Sequence, residues 1–121
     1  MSARRQPPLI DAWGGGGFRV SGEWRPGSLL IFDGAVREWP PSRLAHLTPD
    51  DFADILAGGP AVSEFVLLGA GEIDALPPRT VRDVLRSAGL GFEFMSTEAA
   101  ARVHNVLAAE GRRFATALIA V

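Results

Sequence analysis

A single α/β domain, in which an antiparallel β-meander precedes a βαβαβ half and helices pack on a mixed sheet, is the fold class predicted by this 121-residue sequence. Two observations carry the prediction. In the second half, three apolar strand-like runs, Glu64 to Gly69, Gly91 to Met95 and Arg113 to Ala120, alternate with helix-like segments at Pro77 to Ala88 and Ser96 to Glu110. Parallel strands need crossovers of that length. In the first half, short apolar segments are punctuated by Ser21-Gly22 and Asp33-Gly34, dipeptides that suit tight antiparallel turns.

Residues 1–8 (MSARRQPP) offer no apolar face and read as a frayed segment, with the domain running from 9 to 121. Gly14 to Gly17 leads into Phe18 to Trp24, where Phe18, Val20 and Trp24 fall in a hairpin with one wet face. Ser28 to Phe32 is an apolar strand, Ala35 to Trp39 its hairpin partner, and Pro40-Pro41 ends it. Thr48-Pro49-Asp50-Asp51 has a helix start's cap, proline and acids, and Gly58-Gly59-Pro60 its stop. In the next helix Val81, Val84, Leu85 and Ala88 share the inner face, with Gly89 as terminator. Ser96 or Thr97 caps the last helix, whose expected inner stripe is Ala100, Val103, Val106 and Leu107.

Composition excludes more than it assigns. A net charge of −2 gives no field to attract nucleic acid or an anionic membrane. The lack of cysteine removes disulfides, thiolate metal sites and cysteine nucleophiles. His46 and His104 have no neighbours at ligand spacing, so no metal, cofactor or catalytic set is expected. No apolar run reaches the ~20 residues of a membrane span, and Arg4-Arg5 is followed by Gln6-Pro7-Pro8 rather than a signal core. The expectation is a soluble, cytoplasmic protein.

One crevice is the candidate ligand site. Gly69-Ala70-Gly71 follows a buried strand, and Ser96-Thr97 stands at the C-terminal end of the next, the edge where open α/β sheets hold ligands. Arg102 and Asn105 lie further along the same helix. An anionic small molecule would suit Arg102 and the turn's amides. Each residue also has a structural reading: glycines for a turn, Ser96 as a cap, Arg102 paired with Glu98 at i, i+4, and Asn105 satisfying a neighbouring loop. The dinucleotide fingerprint fails, because it calls for a small residue where Asp74 stands and for a helix that opens at once, whereas Pro77-Pro78 delays it. Trp24 and Trp39 are the candidates for a protein-binding face.

Trp13 to Gly22 (WGGGGFRVSG), Gly27-Ser28-Leu29-Leu30, Leu67 to Gly71, Met95 to Leu107 (MSTEAAARVHNVL) and Glu110 to Arg113 resemble a small family of proteins of unknown function first typified by a methanogen protein. Its mitochondrial branch includes NADH:ubiquinone oxidoreductase complex assembly factor three. The resemblance spans residues 9 to 121 and implies a compact α/β domain with a mixed sheet. It places the chain among bacterial members without assigned activity, and it implies a protein partner such as a subunit of a respiratory or membrane complex. Gly69, Gly71, Thr97, Arg102 and Asn105 match the family pattern, whereas Ser96, Ala101 and His104 stand where relatives carry Asp, Cys and Tyr. The leading functional expectation is a non-enzymatic protein-binding or assembly factor. The alternative is a small-molecule-binding protein or enzyme that uses the crevice.

Overall fold

Three tight turns shape the N-terminal half. The computed structural model describes residues 6–121. Strands β1 (Ile10–Gly14), β2 (Gly17–Val20) and β3 (Glu23–Pro26) form a three-stranded antiparallel sheet, and β4 (Ser28–Phe32) pairs antiparallel with β5 (Ala35–Trp39). Each hairpin closes through two residues of positive φ: Gly15-Gly16, Ser21-Gly22 and Asp33-Gly34, a backbone that matches the twist of the strands it joins. The expected meander is therefore antiparallel throughout, but it breaks at Gly27. β4 leaves the small sheet and joins a second, five-stranded sheet of order β5-β4-β8-β6-β7.

The C-terminal half supplies that sheet's parallel part. β6 (Phe65–Gly69) pairs parallel with both β7 (Gly91–Met95) and β8 (Phe114–Leu118), while β8 pairs antiparallel with β4. Helix α2 (Arg79–Ser87) crosses from β6 to β7, and α3 (Thr97–Ala109) crosses back to β8. Before them, a 3-10 turn at Pro49–Phe52, capped by Thr48 and Asp51, runs into α1 (Ala53–Val62). The glycines expected to end α1 only kink it: Gly59 takes a non-helical φ of 62° ahead of Pro60, and the helix resumes to Val62.

The two faces of the mixed sheet carry separate cores. Leu30, Phe32, Val66, Leu68, Ala115 and Ala117 point to the face covered by α1 and α2. Leu29, Ile31, Leu67, Phe114 and Leu118 point to the other, covered by α3 and by Ile10, Phe18 and Val20 of the small sheet. Double coverage explains why every residue of β4 and β8 is buried. Helix α3 sits rotated from the expected stripe. Val106 is exposed, and Thr97, Ala100, Ala101, His104 and Ala108 face inward, because small side chains let the helix lie close to the sheet while Ile10 covers its flank.

Trp39 is a correction to the expected protein-binding face. It is buried, packs edge-on against Phe52 with ring centroids 5.6 Å apart, and donates its indole N–H to the Asp51 carbonyl at 2.9 Å. Of the expected frayed segment, residues 1–5 lie outside the described residues, whereas Pro8 accepts a hydrogen bond from His104. Removing a core aromatic leaves a cavity its neighbours fill only partly. Trp39→Ala should lower unfolding stability by about 3–5 kcal/mol, read as the loss of urea midpoint at constant m-value.

Candidate functional site

The two turns expected to border the crevice meet, at the point where the β6–α2 and β7–α3 connections leave toward opposite faces. The chain itself fills it. The Thr97 hydroxyl accepts from Gly71 N at 3.0 Å and donates to the Ile119 carbonyl at 2.7 Å, while Thr97 N donates to Gly71 O at 2.7 Å. Ala70 N donates to Met95 O, and Ile119 N to Gly69 O. The Ser96 hydroxyl caps α3 by accepting from Ala99 N at 3.2 Å, and Ser96 N donates to the Asp74 carboxylate at 2.6 Å.

An anion at a helix N-terminus is therefore present, but it belongs to the protein: Asp74 sits where a ligand carboxylate or phosphate would be held. Gly69 is fixed by space rather than by a ligand. A Cβ there would lie 2.7 Å from Leu118 Cδ2 and 3.0 Å from the Thr97 Cα, closer than packed carbon atoms tolerate. Gly71 takes φ 111°, which disfavours any side chain.

Arg102 and Asn105 do not turn into the crevice. Arg102 pairs with Glu98 at 2.8 Å on an exposed flank, its guanidinium 5.3 Å from the centre of the Trp13 ring. Asn105 pairs with the backbone of Ile10 as a strand would: its Oδ1 accepts from Ile10 N and its Nδ2 donates to Ile10 O, both at 2.8 Å. Next to it, His104 is fully buried between Thr116 Oγ1 at 2.7 Å and the Pro8 carbonyl at 2.8 Å. A carbonyl only accepts, so Nε2 carries the proton and Nδ1 accepts from the Thr116 hydroxyl. Burial pushes the imidazole pKa below its usual value, against the opposing pull of the Pro8 carbonyl.

Outside the crevice, two uncommitted features stand out. Trp24, on the outer strand β3, keeps 45% of its surface exposed. At the other sheet's edge, β7 borders a groove of about 320 Å³ between it and α3, lined by Phe65, Gly91, Glu93, Val103, Leu107 and Arg112. The sequence reading missed this groove and the Asp74 contact. A glycine followed by aromatics flanking one acid, Gly91-Phe92-Glu93-Phe94, was the available signal for a half-covered edge strand. Among the described residues no group of three or more His, Cys, Asp or Glu is placed to hold a metal, and no helix is long and apolar enough to cross a membrane.

Residues 10–119 match the profile of a protein family of unknown function, DUF498/DUF598. The chain belongs to that family. An uncharacterized protein of Rhodobacter capsulatus is 37% identical over 110 residues, covering 91% of this chain and 82% of its own length. A crystal structure described as an outer membrane protein from Bartonella henselae superposes with a TM-score of 0.87 at 32% identity, covering 98% of this chain and 99% of that one. The solution structure of a Bordetella pertussis protein described as a Mth938-like domain gives 0.74 at 28% identity, over 98% and 91% of the two chains. The family and the Mth938-like α/β fold are thereby shown.

The polar clamp on α3 makes two measurable statements. Asn105→Ala leaves Ile10 N and O without their partner and should cost about 1–3 kcal/mol, with hydrogen-exchange protection at Ile10 lost first. The unfolded chain titrates His104 near 6.5, while the folded protein holds the ring neutral to lower pH. The contribution is whole above about pH 6.5 and is lost as pH falls toward the folded pKa. His104→Gln, which can still donate to Pro8, should flatten the fall in stability between about pH 7 and pH 5, by up to about 1.4 kcal/mol per pH unit. Equal pH slopes for the two proteins would overturn the assignment.

Proposed function

We propose that this chain is a non-enzymatic protein-binding domain that acts in the assembly of a larger complex, with a respiratory or other membrane complex as the class of target. The observation that carries the reading is Trp24. Its ring packs one side against the Gly15 to Gly17 turn, where a Cβ on Gly17 would lie 2.8 Å from the indole, and it leaves 45% of the residue exposed. An exposed indole held in one position has little rotamer entropy left to lose on binding, and tryptophan is among the residues that most often dominate interfaces.

The filled crevice supports the same direction, since Ala70 N, Gly71 N, Ser96 N, Thr97 N and the Thr97 hydroxyl already have partners within the fold. The Bartonella relative is described as an outer membrane protein. In this proposal contact with a membrane runs through the protein partner.

The test is quantitative co-purification of the tagged chain from its own cells after mild cross-linking, including the membrane fraction. Wild type should retain a defined protein that Trp24→Ala loses at least tenfold, about 1.4 kcal/mol or more of binding, with unchanged circular dichroism. A partner retained equally by Trp24→Ala, or no protein above background, would overturn the reading.

A further inference from the structure

We propose that the free edge of β7 is a self-association surface, on which a second copy of this chain docks its own β7 antiparallel to join two five-stranded sheets into one of ten strands. The inference is independent of the role given to Trp24. It begins with main-chain direction. Gly91 N donates to Glu64 O, and Met95 O accepts from Ala70 N, so Gly91, Glu93 and Met95 turn their backbone groups toward β6. Alternation then aims the N–H and C=O of Phe92 and Phe94 away from the sheet.

Sheet edges are usually blunted by charge or proline. The opposite edge, β5, carries adjacent Arg37 and Glu38 and ends at Pro40-Pro41, whereas β7 has half-buried Phe92 and Phe94 around a single charge, Glu93. Those rings lie 6.3 Å apart on the α2 face. On the α3 face, the groove of about 320 Å³ runs from Phe65, Val103 and Leu107 to the exposed Arg112, whose guanidinium sits 5.6 Å from the centre of the Phe65 ring.

Charge selects both the occupant and the register. Glu93 and Arg112 line the same groove, and neither has an ion-pair partner among the described residues. The surface thus carries one free charge of each sign, which is what a two-fold symmetric contact requires of itself. Centring the pair on Glu93 would set the two carboxylates directly opposite each other, an arrangement that destabilises a sheet.

Centring it on Phe92 places each Glu93 opposite the second copy's Gly91. The missing side chain there leaves the groove open, and the carboxylate enters it toward that copy's Arg112, twice by symmetry. Phe92 meets its counterpart as a cross-strand aromatic pair. A contact built on one five-residue strand and a groove falls at the small end of interfaces, below about 1,200 Å², so the dimer is weak and concentration-dependent.

Sedimentation velocity over a concentration series reaching the millimolar range tests this. Wild type should shift from monomer to dimer. Glu93→Arg and Arg112→Glu, both surface changes, should each weaken association at least tenfold, and the Glu93→Arg/Arg112→Glu double variant should restore it. The proposal is overturned by a wild type that stays monomeric throughout, by a dimer indifferent to both single variants, or by a double variant no better than the singles.

Discussion

The hydroxyl of Thr97 lies where three chain segments converge, and the positions of the others follow from it. It accepts from Gly71 N and donates to Ile119 O, so one side chain at the start of α3 ties the turn leaving β6 to the residue after β8. Both bonds are fully buried, where an unpaired amide or carbonyl would cost the most. The approach they enforce is so close that the last residue of β6 has no room for a Cβ. A glycine at 69 and a small polar side chain at 97 are two halves of one constraint: the helix can lie on the sheet only at this distance, and at this distance only these residues fit.

Close packing of α3 has a second consequence on its other flank. The helix presents alanines to the mixed sheet, and its two adjacent polar residues, His104 and Asn105, reach Pro8 and Ile10. The small sheet is joined to the main one by the chain at Gly27, by the Gly16 N–H on the Val121 carbonyl, and by these polar contacts. Apolar packing of Ile10, Phe18 and Val20 supplies its burial, but burial is not directional. The hydrogen bonds to specific backbone atoms are what fix the register of β1 against α3.

Much of this was legible because local signals agreed with the global fold. The strands at Ser28–Phe32, Ala35–Trp39 and Gly91–Met95 begin and end where turn residues and apolar runs place them. The alternation of strand and helix specified the parallel part outright. What stayed hidden has physical reasons. β1 lacks a strand's pattern, since Asp11 and Ala12 are exposed and only Ile10 is fully buried. The rotation of α3 reverses the hydrophobicity expectation, because approach distance rather than apolarity decides which of Ala101, His104 and Val106 faces in. Trp39 and Trp24 look alike in sequence, and only the 3-10 turn carrying Asp51 and Phe52 distinguishes a core indole from a surface one. At the crevice the spacing correctly brought Gly71 and Thr97 together but could not show that they would satisfy each other.

That last point bears on function. A switch-point crevice serves as a ligand site in α/β sheets when its backbone donors are left over after folding. Here Asp74 occupies the helix terminus from within and Thr97 takes up the turn, so a small anion would have to displace an intramolecular carboxylate whose effective concentration is set by a tether of about twenty residues. A domain built this way closes the polar groups of its switch point. Groups with capacity to spare include an indole that neither core covers and the outward amides and carbonyls of β7, which face away from β6. Such groups are suited to another polypeptide, because a chain can supply both an apolar surface and a ladder of main-chain partners.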